Sequence, residues 1–338
     1  MDEIKIIENN LIEKISNLLK ESRNSIYREV NTKLLATYLE IGKTIVSSYK
    51  NVRTEDEKNK SISQISKELT KRFGKGFSRS NIFNMVNFYK SYKSVQTLSG
   101  RLGWSHYCEL LSISDLDKRH FYEVECSKSN WSVRELRRQI SSSLFERLLL
   151  SKGTSNKEKV LTLSKKGNEI SKPEDLIKDP YVFEFLGIPE NKPTMESKLE
   201  KALVNQLGNF ILELGKGFMF VGTQQRVTFN NVHYYVDMVF YNKILKCYFL
   251  IELKTTKLMP EAVGQLNMYL NYYKNEVNDK DDNPPIGLIL CTDKGNVDLE
   301  YALGGLNNKI FASKYVTYMP NKEQLLLEVK KVLGKNKK

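Results

Sequence analysis

YYVDMVFYNKILKCYFLIELKTTKLMPEAVGQLNMYLNYY, residues 234–273, is the stretch from which the rest of the chain can be read. Tyr234 to Tyr241 alternates apolar and aromatic residues as a strand does, with Asp237 interrupting it. Cys247 to Leu253 is a second apolar run, of the kind expected for a strand buried on both faces, yet it closes on Glu252 and then Lys254. With Asn242 and Lys243 between the runs, the two strands form a hairpin. Lys254 stands two residues past Glu252 and so on the same side of the sheet, which makes three charged groups converge at the ends of neighbouring strands. Buried carboxylates are costly unless a cation neutralises them. Oxygen-only ligation suits Mg²⁺ or Mn²⁺ rather than zinc.

An Asp followed fifteen positions later by Glu-x-Lys resembles the PD-(D/E)XK nuclease signature. It looks like the YhcG-like branch in particular, on Val236-Asp237, Ile251-Glu252-Leu253-Lys254 and Gly264-Gln265-Leu266-Asn267-Met268-Tyr269. Val236 stands where the signature has proline. The order of elements strengthens the match: helix, strand, strand with Asp, strand with Glu-x-Lys, helix with Gln. Trp104-Ser105-His106-Tyr107, with Leu110 and Leu111, and then Trp131-Ser132-Val133-Arg134-Glu135-Leu136 look like the N-terminal domain of the same group, so the resemblance spans most of the chain.

The resemblance implies an α+β two-domain chain. An all-α, helix-turn-helix-like N-terminal domain precedes an α/β restriction-endonuclease-like core with a mixed sheet flanked by helices. It also implies phosphodiester hydrolysis with one or two Mg²⁺ ions held by Asp237, Glu252, the Leu253 carbonyl and an acid of the first core helix. Glu200 is the first choice for that acid and Glu196 the second; the alternative is that both are ordinary surface acids. Lys254 would orient the attacking water or neutralise developing charge, and Gln265, pointing back to the Glu-x-Lys edge, would hold the phosphate or a water.

Composition narrows the partner. The 338 residues carry 53 Lys plus Arg against 40 Asp plus Glu, a net charge of +13 with an isoelectric point near 9.3, which favours a polyanion such as DNA. No run of 18 apolar residues occurs, and the polar, acidic start MDEIKIIENN is no signal peptide, so a soluble cytoplasmic protein with no membrane partner is expected. The four cysteines, Cys108, Cys126, Cys247 and Cys291, form no CxxC pair; they read as reduced, buried and structural, and no zinc site is expected. There is neither a GxSxG nor a Walker-type loop.

Along the chain, residues 2–50 predict two amphipathic helices, and residues 51–60 a loop. Ile62, Ile65 and Leu69 mark a short helix broken at Gly74-Lys75-Gly76, after which Ser78 caps a second one, the outline of a helix-turn-helix. From Lys67 to Arg101 eight basic residues stand against Glu68 alone, a local net of +7. Lys71, Arg72, Lys75, Arg79 and Lys90 are candidates for phosphate contact, and the exposed Arg79, Ser80, Asn81 and Asn84 for base edges if the helix enters a groove. The alternative is a packed helix pair with a solvated basic face. Ser105 and Ser132 are placed as N-caps, Trp104 and Trp131 as core anchors, and His106 and His120 as structural.

A Ser/Lys/Asn/Gly-rich stretch predicts the boundary: residues 1–150 helical, 151–180 linker, 181–338 catalytic. A helix with Glu196 and Glu200 on one face, ended by Gly215, precedes a strand from Phe218 to Val227, whose Gln224, Gln225 and Arg226 are candidates for the substrate backbone. A helix from Pro260, a strand from Gly287 to Cys291, a helix over 296–303, a strand over 316–319 and a last helix from Asn321 complete the sheet layers.

Three readings compete: a Mg²⁺-dependent DNA endonuclease with a targeting domain, an inactive DNA-binding or assembly protein on a nuclease fold, and a nuclease recruited by a protein partner through its N-terminal helices. A homo-oligomer is compatible with each.

Overall fold

In a computed structural model of the chain, residues 2–49, 54–92, 100–151, 157–189, 194–293 and 308–335 are described. They fall into two compact units, Met1–Arg137 and Arg138–Lys338.

The first unit is helical. One helix, α1 (Asp2–Ser48), replaces the two expected over residues 2–50. The stretch contains no proline and a single glycine, Gly42, so nothing removes a backbone hydrogen bond along it. Gly42 instead admits the neighbouring helix: a Cβ there would lie 2.1 Å from the Met85 carbonyl oxygen. The loop expected over 51–60 is also corrected, because α2 (Glu55–Phe73) starts inside it. Thr54 caps it: its Oγ1 accepts from the Glu57 N–H at 3.4 Å and donates to Glu57 Oε2 at 2.7 Å.

A short 3₁₀ turn, Lys75–Phe77, joins α2 to α3 (Arg79–Ser91), which Ser78 caps as expected through the Asn81 N–H at 3.3 Å. The unit continues with α4 (Trp104–Leu110), α5 (Leu116–Ser129) and the start of α6 (Val133–Ser141). Ser105 is not the cap of α4. Gly103 takes that place, its N–H held by His106 Nδ1 at 3.2 Å, while the His106 Nε2–H donates to the Trp131 carbonyl at 3.0 Å. Ser132 does cap α6, in a capping box with Glu135. Trp104 packs against Tyr38 and Phe88, a core anchor as expected.

The second unit opens with the end of α6, α7 (Leu144–Ser151) and α8 (Lys157–Lys166), the last lying inside the stretch expected as linker. Tyr181–Val182 forms a two-residue strand, β1. The helix expected over 195–215 is broken at Gln206 into α9 (Glu196–Asn205) and α10 (Leu207–Leu214). Then come β2 (Phe218–Phe229), β3 (Val232–Asn242), β4 (Cys247–Leu253), α11 (Pro260–Tyr272), β5 (Ile286–Cys291), β6 (Lys309–Val316) and α12 (Lys322–Lys335). The strand expected over 316–319 therefore lies earlier, and the helix expected over 296–303 falls outside the described residues. Asn230 and Asn231, both at positive φ, close the β2–β3 hairpin as that turn requires.

The six strands run in the order β1-β6-β5-β4-β3-β2. β2, β3 and β4 pair antiparallel, while β4, β5, β6 and β1 pair parallel, so the sheet is mixed. One face, with Met238, Phe240, Phe249, Ile251 and Leu288, packs on Leu199, Leu203, Phe210 and Leu214 of α9 and α10. The other, with Val236, Val239, Leu250 and Ile289, packs on Val263, Leu266, Tyr269 and Leu270 of α11. Burial from both sides is what the unbroken apolar run of β4 predicts. Gly287 lets α11 settle against the sheet, since a Cβ there would meet the Leu266 side chain at 2.7 Å. The restriction-endonuclease-like class expected from the sequence is the class found. Among the described residues no helix is long and apolar enough to cross a membrane.

Candidate active site

The three charged groups of the opening stretch meet where the pairing of β3 with β4 stops; this is the end of β4 but the middle of β3, which runs on past Asp237 to Val232 paired with β2, so the expected meeting of two strand ends is corrected. The registered pairing stops at Met238 opposite Ile251, so Asp237 and Glu252 are the next residues on either side of that step. The Leu253 N–H donates to Asp237 Oδ2 at 2.8 Å, tying the end of β4 to the middle of β3. Lys254 Nζ lies 3.6 Å from Glu252 Oε2 and 3.3 Å from Glu196 Oε2 of α9. Glu196 Oε1 also accepts from the Thr255 N–H at 3.3 Å.

Both acids of α9 face this edge, as their spacing predicts, but they engage different groups. Glu196, the second choice from sequence, holds Lys254; Glu200, the first choice, accepts from Gln224 Nε2 at 2.8 Å. Gln224 Nε2 reaches Asp237 Oδ1 as well, at 3.2 Å, so this residue turns onto the carboxylates. Gln265 Nε2 donates to Tyr269 Oη at 2.6 Å, and the Tyr269 hydroxyl, pushed above its usual range first by burial, also feels the Glu252 and Asp237 charges.

Electrostatics mark Glu252 as the unusual group. It is 1% exposed, and its Oε1 has no hydrogen-bond partner. Burial, and then the neighbouring Asp237 charge, push its carboxyl up to about 8. Burial raises Asp237 and Glu200 too. Burial works to lower Lys254, but the carboxylates of Glu252, Glu196 and Asp237 outweigh it and hold the ammonium above the ordinary lysine value.

The protein is therefore acid-rich at a point where negative charge is disfavoured, which fits a divalent cation: an orphaned buried carboxylate oxygen beside a second carboxylate, with hard oxygen donors only. No group of three or more His, Cys, Asp and Glu suited to a metal ion is present among the described residues, so backbone and water oxygens would complete the set.

A pH effect follows. The folded protein keeps the Glu252 proton up to about 8, whereas an unperturbed glutamate releases it near 4.5. Between those values the folded state binds more protons than the unfolded chain, so stability falls as pH rises. The melting temperature of metal-free protein is expected to drop from pH 5 to pH 8, less so in Glu252→Gln, and Mg²⁺ is expected to restore more of it at pH 8 than at pH 6. A metal-free wild-type profile that rises across this window overturns the assignment.

The other sequence candidates make different contacts. Gln225 binds the Thr223 carbonyl within its own strand at 3.2 Å, and Arg226 is exposed. In the first unit Lys71, Arg72, Lys75, Arg79 and Lys90 are exposed, with Arg79 lying over the Phe83 ring at 5.3 Å. Asn81 and Asn84, expected as exposed base readers, are corrected: both are half-buried. Asn81 accepts from Trp104 Nε1 at 2.7 Å and donates to the Gly76 carbonyl, and Asn84 reaches Cys108 Sγ. A polar side chain on the inner side of a capped helix is consumed by tying neighbours together. The four cysteines are free thiols, three of them buried.

A family described as the YhcG PDDEXK nuclease domain matches residues 174–331, and one described as the DUF1016 N-terminal domain matches residues 14–147. The chain is 36% identical over 348 residues to the Escherichia coli (strain K12) protein named "Putative nuclease YhcG", covering 93% of this chain and 92% of that one. A solved repair endonuclease from Pyrococcus abyssi aligns with 38% of this chain and 50% of its own, at 17% identity and a TM-score of 0.24.

Proposed function

Since the chain belongs to the YhcG family of PDDEXK nucleases, we propose that it is a Mg²⁺-dependent endonuclease that hydrolyses phosphodiester bonds in DNA, directed to its substrate by the basic helical unit. The observation that carries this reading is the meeting of Asp237, Glu252 and Lys254 on the neighbouring strands β3 and β4, where their pairing stops, with Glu252 Oε1 buried and unpartnered.

Asp237, Glu252 and the Leu253 carbonyl would hold the ion; Mn²⁺ is an alternative occupant. Once bound there, it supplies Lewis-acid stabilisation of the phosphate and lowers the pKa of water. Lys254, kept protonated by its three acid neighbours, acts as a donor to developing negative charge rather than as a proton acceptor. Glu196 fixes the direction of that ammonium. The Gln265 amide, anchored on Tyr269, stands ready to hold a phosphate oxygen or a water. Arg226, exposed on β2, and the cations of α2 and α3 would meet phosphates elsewhere on the polymer.

The deciding experiment incubates the full chain with supercoiled and linear DNA, and RNA in parallel, with Mg²⁺ or with a chelator. Nicking or cutting of DNA only with metal, lost in Asp237→Ala, is the expected result. Nucleic acid left intact under every condition, while the protein still binds it, selects the reading of an inactive binding protein.

The role of the basic unit has its own measurement. Removing Lys71, Lys75 and Arg79 together by alanine is expected to lower the slope of log affinity against log salt by about 2–3, because each lost phosphate contact releases about one counterion fewer. An unchanged slope assigns the N-terminal helices to a protein partner instead.

A further inference from the structure

Gln224 holds a backbone conformation that its side chain does not favour. Its φ is +47°, in the left-handed region, where residues other than Gly, Asn and Asp lose about 1–2 kcal/mol. The strand is irregular just before it, with a register shift between Phe220 and Gly222. Pairing then resumes with Thr223 opposite Met238 and Gln225 opposite Val236, which sets Gln224 opposite Asp237. Glu252 follows in the next strand, one step beyond the Met238–Ile251 pair. Gln224, Asp237 and Glu252 thus form one row across three strands. Strain of this kind persists only where the surroundings over-determine it, and it concentrates at functional sites.

The side chain explains what the backbone is held for. Nε2 donates to Glu200 Oε2 at 2.8 Å and to Asp237 Oδ1 at 3.2 Å, so both amide hydrogens are committed to carboxylates from different elements. An amide oxygen in the same place would repel both. The other Asp237 oxygen, Oδ2, accepts from the Leu253 N–H at 2.8 Å, which holds this carboxylate at both ends.

We infer that Gln224 is a positioning residue: it bridges Glu200 to Asp237 and fixes the Asp237 carboxylate for a single divalent ion shared with Glu252. The inference rests on the metal-site reading above. A neutral donor fills the gap between Glu200 and Asp237, so a second ion is excluded there, and Glu200 acts on the site through the amide rather than as a ligand. Partners of this kind, one step behind a metal ligand, are worth about 10- to 100-fold in metal affinity.

The test titrates the full chain with Mn²⁺, by calorimetry and by the electron paramagnetic resonance of the bound ion, in wild type, Gln224→Gly and Gln224→Asn. Glycine and asparagine both tolerate positive φ, and the shorter asparagine cannot span the two acids, so melting temperature is expected to stay level or rise. Wild type is expected to bind one Mn²⁺, and both variants to bind it about 10- to 100-fold more weakly with an altered resonance spectrum. Glu200→Gln is expected to weaken binding in wild type and to add nothing in Gln224→Gly. Undiminished affinity in Gln224→Gly, or two ions bound per wild-type chain, overturns the inference while leaving the metal site standing. Wild type that takes up no Mn²⁺ overturns the metal-site reading and this inference with it.

Discussion

Lys254→Ala is expected to slow DNA cleavage about 10²- to 10³-fold, equivalent to about 3–4 kcal/mol of transition-state stabilisation, with affinity for DNA nearly unchanged. The ammonium sits within 3.6 Å of Glu252 and 3.3 Å of Glu196, at the end of the strand that carries the buried acid. Charge that develops on the phosphate in the transition state is absent from the bound substrate, so the loss belongs in kcat rather than KM. Asp237→Ala is expected to be at least as severe, because it removes both a carboxylate and the acceptor that ties β3 to the Leu253 N–H. Single-turnover cleavage and a gel shift on the same preparations separate the two effects. Cleavage that survives both substitutions sinks the endonuclease assignment.

Glu213→Ala is expected to have the largest effect on stability. Glu213 of α10 is fully buried and pairs with Arg147 of α7, itself fully buried, and with Arg138 at 3.1 Å. It also accepts from the Val182 N–H at 3.0 Å, and Lys178 Nζ binds its backbone carbonyl. Burial alone would raise this carboxyl, but Arg147, Lys178 and Arg138 bring it down to about 2. Removing it strands a guanidinium in the interior at about 3–5 kcal/mol. For a unit of this size that lowers the melting temperature by about 6–20 °C.

The same cluster predicts which fragment folds. A chain starting at 138 keeps every partner of Glu213, whereas one starting at 181 lacks Arg138, Arg147 and Lys178 and is expected to unfold or aggregate. Cooperative melting of the shorter fragment at the temperature of the longer one contradicts this account.

Much of the site could be read directly because its residues are close in sequence or fixed by strand period. Asp237, Glu252 and Lys254 follow from two apolar runs and the alternation of side chains, and Glu196 and Glu200 share a face through helical spacing. Helix starts are legible where a hydroxyl caps them, as at Ser78 and Ser132; the Thr54 cap on the Glu57 N–H carries the same signal, but within a mixed-charge stretch that reads as a loop. Gly103 in place of Ser105 is different in kind. A glycine has no side chain to announce a cap, and the acceptor came from His106.

By itself, the sequence determined the class of the core, the hairpin carrying the acids and the excess of positive charge, since each depends on composition or on a period of two or of 3.6 residues. Only the tertiary structure decided that Glu196 rather than Glu200 grips Lys254, that Gln224 bridges two carboxylates, that Asn81 and Asn84 serve as internal ties, and that Glu213 is neutralised from helices some 70 residues upstream. These are choices among several chemically suitable partners. What settles them is which group the packed sheet and helices bring within hydrogen-bond reach, a distance that no local pattern encodes.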